Sequence, residues 1–417
     1  MFTAIKRLTR TVLCFAMVLV SVVSTQACDK EPEGRKMTNG PVYDAVNFPR
    51  ELWDAPAYER DEKRDRNDEV KAIWYTTYCN GVETKAFAYL GIPKEATEKD
   101  PAPAVLLLHG GAGTAYYEWV QMWVDRGFVA LAPDLEGHVP TQDGRMTSEP
   151  SVLYTKSEYI SLQNQNYADA SLPVEQTWMY YAAVTAFLGN SLLHSIPQAD
   201  VQRIGVCGVS WGGVLTSIIT GYDDRFAFSV PIYCSLNIAG NGGFLAEFYK
   251  EHPGALVWDD DRGLTKVTTP ILFYTANTDS VNACSVLSVS KTYERCQNAR
   301  LLIMDGFLHS QYYAANAIEP YLFAESIVGR GRAFAKAVRQ PSAADATFVY
   351  DGDAAQEARI WYTADDVAVM AASWSSQRLE ANGRQISCVL PSDARYFYIA
   401  VDDGGGGITS AVADAAG

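Results

Sequence analysis

Short apolar runs alternate with helix-length stretches through the middle of the chain, the pattern of a mainly parallel sheet covered on both faces. The runs occupy residues 104–108, 128–132, 203–207, 227–232, 271–275 and 301–304. Helical spacing falls between them at 116–125, 174–194, 211–220, 281–297 and 311–328. Ahead of this block, two strand-like runs, 71–78 and 82–92, flank Asn80-Gly81, a strong signal for a two-residue hairpin turn. The stretches 136–170 and 233–266 break the rhythm. Long insertions in an α/β domain are commonly lids or binding loops, with structural decoration as the alternative.

Past residue 329 the helical period fades, and β-rich runs appear at 347–350, 358–363, 386–390 and 396–401. They predict a small β-sandwich-like module, too small for a sufficient core of its own and therefore packed against the main domain. The expected division is a signal peptide over 1–27, a linker and charged segment over 28–70, an α/β catalytic domain over 71–330, a linker over 331–345, the β-rich module over 346–403 and a disordered tail over 404–417. Charges of alternating sign at 59–66 read as a solvated edge helix.

Composition narrows the function classes. With 34 Lys+Arg against 49 Asp+Glu the net charge is −15, which argues against nucleic acid as a partner, because such partners are held by cationic neutralisation of phosphate. A hydrophobic share of 48% is too high for a disordered chain. Lys6, Arg7 and Arg10 precede an apolar run at 11–23 that ends in Ser24-Thr25-Gln26-Ala27-Cys28. This is the layout of a cleaved export signal. The Cys after Ala27 resembles a bacterial lipobox, which implies lipidation of Cys28 and tethering to a membrane. Thr25 stands where that motif carries Leu or Val, so secretion without a lipid is the alternative.

Six further cysteines remain: Cys79, Cys207, Cys234, Cys284, Cys296 and Cys388. Spacing leaves their pairing open. Cys207 falls in an apolar strand and reads as a core residue. In a continuous helix Cys284 and Cys296 lie about 18 Å apart, out of disulfide reach of each other. No Cys-x-x-Cys or His-x-x-x-His spacing occurs, and no metal or cofactor is expected.

The chemistry concentrates at Gly208-Val209-Ser210-Trp211-Gly212-Gly213, between an apolar strand and a helix. A strand-to-helix turn this sharp presents the serine on a strained backbone and requires glycine beside it. A serine hydroxyl needs a base and a carboxylate to orient that base. In this arrangement both follow the serine, each after a later strand. His309 follows the run 301–304, whereas His252 sits in an insertion; Asp279 follows the run 271–275, with Asp305 and the Asp259-Asp260-Asp261 run as fallbacks. Oxyanion donors are expected from the N–H of Trp211 and from His109-Gly110-Gly111-Ala112-Gly113, at Gly111 or the adjacent Gly110. His109 is expected to orient that loop rather than to transfer protons.

These motifs, in this order over residues 71–328, resemble the α/β-hydrolase superfamily. The Val-Ser-Trp-Gly-Gly elbow is similar to dienelactone-hydrolase-like and acetylxylan-esterase-like enzymes and to the catalytic domain of prolyl-oligopeptidase-type peptidases. The resemblance implies an α/β-hydrolase fold with a C-terminal β-rich module, and a Ser210–His309–Asp279 hydrolase of carboxylic esters, with acetyl groups on carbohydrate as a candidate substrate. A serine exopeptidase is the second reading, weakened by the short segment before the first core strand. A non-catalytic surface-binding protein on the same scaffold is the third. The oligomeric state is not readable. Trp119, Trp123, Trp178, Trp258, Tyr116, Tyr117, Tyr154, Tyr159 and Tyr167 are either cleft or core residues, and core is the commoner fate of such aromatics.

Overall fold

A computed structural model describes residues 35–141, 146, 154–160, 169–237, 248, 250–279, 281, 284–366 and 372–417. The expected signal peptide, Cys28, Tyr167 and much of both insertions lie outside them.

Every apolar run of the central pattern is a strand. In chain order the strands are β1 (Tyr58–Arg60), β2 (Val70–Cys79), β3 (Val82–Gly91), β4 (Ala102–Leu108), β5 (Val129–Pro133), a ribbon of β6 (His138–Pro140) and β7 (Tyr154–Lys156), then β8 (Ala199–Val209), β9 (Ser229–Ile232), β10 (Ile271–Ala276) and β11 (Ala299–Met304). Nine of them form one sheet in the order β1-β2-β3-β5-β4-β8-β9-β10-β11. It is parallel from β5 to β11 and antiparallel through β1, β2 and β3. Every residue of β4, β5, β9 and β10 is buried, as a sheet covered on both faces requires. In the β2–β3 hairpin Cys79 pairs with Val82. Asn80 (φ 53°) and Gly81 (φ 74°) make the turn, both in the left-handed region that suits a two-residue hairpin.

Helices α1 (Tyr117–Val124), α2 (Trp178–Leu193) and α3 (Trp211–Tyr222) cover the sheet, followed by Val286–Arg295, Gln311–Asn316 and Glu319–Ile327. Thr177 caps α2 by accepting the Tyr180 N–H. The helix expected from residue 281 starts only at Val286, capped by Ser285. The helical period of 311–328 divides in two because Pro320 sits in the first turn of a new helix, where its missing N–H costs nothing and its ring blocks continuation from before.

Three expectations fail. The 59–66 segment is the end of β1 plus a 3₁₀ turn (Glu62–Arg64), with no α-helix. Its carboxylates turn to the neighbouring strand, Asp65 accepting the Ala72 N–H at 2.9 Å and Asp61 the Trp74 indole N–H at 3.1 Å. Within the expected linker, Val46, Phe48, Leu52 and Trp53 join the main core, with Phe48 edge-on to Phe187 at 4.8 Å. The tail is ordered. Positive φ at Gly404, Gly406 and Gly407 turns the chain back, and residues 408–412 are buried.

The C-terminal region forms two small antiparallel sheets. One contains β12 (Ala337–Arg339), β13 (Thr347–Tyr350) and β16 (Gln385–Ser387); the other contains β14 (Glu357–Thr363), β15 (Ser375–Leu379), β17 (Tyr396–Asp402), β18 (Ile408–Thr409) and β19 (Ala413–Asp414). Tyr398, Ala411 and Val412 share a buried cluster with Phe273, Leu301 and Val289. Thr409 Oγ1 donates to the Leu301 carbonyl at 3.0 Å. The second sheet therefore braces the β11 edge of the large one.

Candidate active site

Ser210 stands between the end of β8 and the start of α3 with φ 58° and ψ −119°, a left-handed backbone that a residue with a side chain adopts only under constraint. Glycines on either side allow it. A Cβ on Gly208 would collide with the Gly212 carbonyl and Thr216 Oγ1, and one on Gly212 with the carbonyls of Leu108 and His109. The Ser210 N–H donates to Ile232 O and its carbonyl accepts the Val214 N–H, both at 3.0 Å. The turn is thus fixed from β9 and from its own helix.

Two further loops converge on this hydroxyl. His309, after β11, places Nε2 2.8 Å from Ser210 Oγ. Its Nδ1 lies 2.6 Å from Asp279 Oδ2, in the loop after β10. A carboxylate accepts, so Nδ1 carries the proton and Nε2 is left to receive one from the serine. The Asp279 side chain is fully buried and that of His309 22% exposed; the other acid oxygen accepts the Val281 N–H at 2.9 Å. All three residues sit at the carboxyl ends of parallel strands, where α/β sheets place their ligand crevices. Two of the alternatives are engaged elsewhere: His252 Nδ1 bonds Phe248 O at 3.0 Å, and Asp260 accepts from Ser235 Oγ and from the Leu236 and Asn237 N–H groups.

The loop after β4 is a turn closed by the Gly113 N–H donating to Gly110 O at 3.0 Å. Ala112 holds φ 58° and gives its N–H to Glu136 Oε1 at 2.8 Å. His109 Nε2 accepts the Leu135 N–H at 2.9 Å, so its Nδ1 carries the proton and donates to Gly110 O at 2.7 Å. Burial pushes its pKa down to about 4. Neutral and bonded at both nitrogens, His109 orients the loop. His138 Nδ1 lies 2.7 Å from the Gly113 carbonyl. Of the expected oxyanion donors, the Gly110 N–H points to Gln311 Oε1 at 3.3 Å, whereas the Gly111 N–H has no partner among the described residues. A Cβ on Gly111 would lie 2.5 Å from the Trp211 ring. The Trp211 N–H, first in α3, has no intrahelical acceptor.

Burial raises Glu136 to about 8 and Asp134 to about 7. Glu136, Gln311, Tyr233 and a Cys234–Cys284 disulfide were not singled out by sequence reasoning. For Glu136 a signal existed, since Asp134-Leu135-Glu136 puts two acids directly after a fully apolar strand. The Cys234 and Cys284 sulfurs and a His309 ring nitrogen lie within 4.8 Å of one another, but sulfurs bonded to each other offer no thiolate to a metal. Cys207 is buried, as its strand position implied. Trp119, Trp123, Trp178, Trp258 and Tyr116 are core residues. Tyr117 is half-buried, Tyr154 stacks on His138 at 3.7 Å, and Tyr159 is exposed.

Residues 87–310, more than half of the chain, match the model of the dienelactone hydrolase family. No curated protein matches in sequence. Among solved structures the chain is similar to an acetyl xylan esterase from Paenibacillus sp. R4, with 16% identity, 62% of this chain and 86% of that one covered, and a TM-score of 0.47. It is also similar to acetyl xylan esterase 1 from Thermoanaerobacterium sp. JW/SL YS485, with 17% identity, 64% and 88% covered, and a TM-score of 0.44. A third is the acylaminoacyl peptidase of Pyrococcus horikoshii, with 16% identity, 63% of this chain but 42% of that one covered, and a TM-score of 0.44.

Proposed function

The chain belongs to the dienelactone hydrolase family, and from that premise we propose that it is an exported serine esterase that cleaves carboxylic esters through Ser210, His309 and Asp279. The observation that carries this reading is His309 bridging Ser210 Oγ at 2.8 Å and Asp279 at 2.6 Å. Ser210 attacks the acyl carbon as Nε2 takes its proton. The resulting imidazolium is balanced by Asp279, and the charge on the tetrahedral oxygen is met by the N–H groups of Gly111 and Trp211. The imidazolium then protonates the leaving alcohol. Water, deprotonated by the same nitrogen, releases the acid.

Export rests on the basic and apolar N-terminal segment and on Cys28 as a lipid attachment site, and a structural disulfide supports an oxidising compartment. Labelled fatty acid incorporated by the wild type and not by Cys28→Ala tests the anchor. Acetylated carbohydrate is the substrate class carried from the elbow motif. The test is turnover of p-nitrophenyl acetate and acetylated glycans beside aminoacyl-p-nitroanilides. Ester turnover that falls by roughly 10⁴-fold or more in Ser210→Ala supports the reading. Preferential cleavage of the anilides replaces it with the peptidase.

A further inference from the structure

Tyr233 and Cys234 directly follow β9, the strand that pairs Ile232 with Val209 at the end of β8. These two adjacent residues reach all three loops of the proposed centre. Cys234 Sγ lies 4.0 Å from Ser210 Oγ, in van der Waals contact with it. The same sulfur is bonded to Cys284, at the far end of the loop that begins with Asp279. Tyr233 stacks on His309 with ring centroids 4.4 Å apart, and its hydroxyl donates to the Leu308 carbonyl at 2.6 Å.

The segment is held where it must be to do this. Tyr233 adopts φ 72°, costly for an aromatic residue. Its N–H donates to Tyr274 O at 2.7 Å and its carbonyl accepts from Thr275 Oγ1 at 2.9 Å. Both cysteines are buried. Because β8 lies between β4 and β9, the oxyanion loop and the disulfide come from the strands on opposite sides of Ser210. With the oxyanion directed to the Gly111 side and the leaving oxygen to His309, the remaining substituent of the tetrahedral carbon is the acyl chain. On the β9 side of Ser210 the sulfur of Cys234 stands 4.0 Å from the attacking oxygen.

We propose that the Cys234–Cys284 disulfide is both the clamp that holds the Asp279 loop against Ser210 and the wall that limits the acyl group to a short chain. This rests on the esterase reading. The clamp acts through position: an acid loop free to drift no longer fixes the His309 tautomer, which lowers turnover rather than binding. The wall acts through volume, because methylenes beyond an acetyl group run into sulfur.

Two double variants separate the roles. Cys234→Ser/Cys284→Ser keeps nearly the same side-chain volume without the bond; Cys234→Ala/Cys284→Ala also opens the space. Each is compared with wild-type protein, untreated and reduced with tris(2-carboxyethyl)phosphine, on p-nitrophenyl acetate, butyrate and octanoate. Thiol titration establishes the state of the bridge and thermal melting establishes folding. The expected result is a kcat on acetate at least tenfold lower in both variants with KM changed less than threefold. In the alanine variant, the butyrate-to-acetate ratio of kcat/KM rises at least fivefold. A folded protein shown to lack the bridge, with kcat and chain-length preference within twofold of wild type, overturns the proposal. If neither variant folds, reduced and reoxidised wild type decides between the same two outcomes. A wild type that hydrolyses none of the three esters overturns the esterase reading itself, a result distinct from an intact esterase indifferent to its bridge.

Discussion

Asn277 donates its side-chain amide to the Tyr398 hydroxyl at 3.0 Å, both groups being buried. This bond joins the loop that carries Asp279 to β17 of the C-terminal sheet, so that sheet braces the acid loop as well as the β11 edge. Tyr398→Phe leaves the Asn277 amide without this acceptor and costs about 1–3 kcal/mol of stability. The expected outcome is a lower melting temperature together with a kcat reduced severalfold at unchanged KM, measured by calorimetry and steady-state kinetics.

Asp279 holds the proton of His309 on Nδ1. Asp279→Asn presents an amide that can donate to that nitrogen and so favours the tautomer with the proton on Nε2, facing the serine. The expected loss in kcat is about 10³-fold or more, with KM little changed. Pre-steady-state kinetics should show the acylation burst slowed to match.

The loop after β4, which carries the proposed oxyanion donor, is held by Glu136. Ala112 sits in the left-handed region with its N–H tied to this carboxyl, which fixes the Gly111–Ala112 peptide and, through the closed turn, supports the preceding peptide that carries the Gly111 N–H. Glu136→Ala should lower kcat by about 10²-fold, the usual effect of losing one oxyanion donor. Glu136→Gln, which keeps an acceptor oxygen, should remain within a few-fold of wild type. Ala112→Gly should recover part of the loss in the Glu136→Ala background, since glycine takes positive φ without strain. Steady-state kinetics of wild type, Glu136→Ala, Ala112→Gly and the double variant form a double-mutant cycle.

Glu136 also sets a pH dependence of stability. Burial lifts its pKa from 4.5 to about 8 in the folded protein, with Asp134 close by and His138, whose own pKa burial lowers, 4.0 Å away. Between these values the unfolded chain has released the proton while the folded protein keeps it. Stability is therefore fully present below about pH 4.5 and is lost as pH rises to about 8, by a few kcal/mol from this group. Asp134, raised to about 7, acts in the same direction. Glu136→Gln should flatten the decline in melting temperature across this range relative to wild type.

The sheet was legible because β4, β5, β9 and β10 are buried on both faces and so read as continuous apolar runs. The sharp turn at Ser210 was legible because Gly208 and Gly212 are demanded by sterics that leave a fixed spacing. His309 and Asp279 could be selected as candidates from their order after later strands. What stayed hidden depends on contacts between distant segments. Ala112 takes a positive φ with no glycine to signal it, and Cys234 finds Cys284 across 50 residues of chain. The glycines of 404–407 suggested freedom, yet they make the turn that lets Ile408 and its neighbours bury. Phe48 and Trp53 were too sparse among polar residues to register as core.

In the proposed reaction Ser210 is the nucleophile, activated by His309. The most direct measurement is treatment of the folded protein with a fluorophosphonate, followed by peptide mass spectrometry. One phosphonyl adduct is expected, on Ser210, formed with loss of esterase activity and formed at least 10²-fold more slowly in His309→Ala. An adduct on another residue, or ester hydrolysis that persists with Ser210 fully modified, would contradict it.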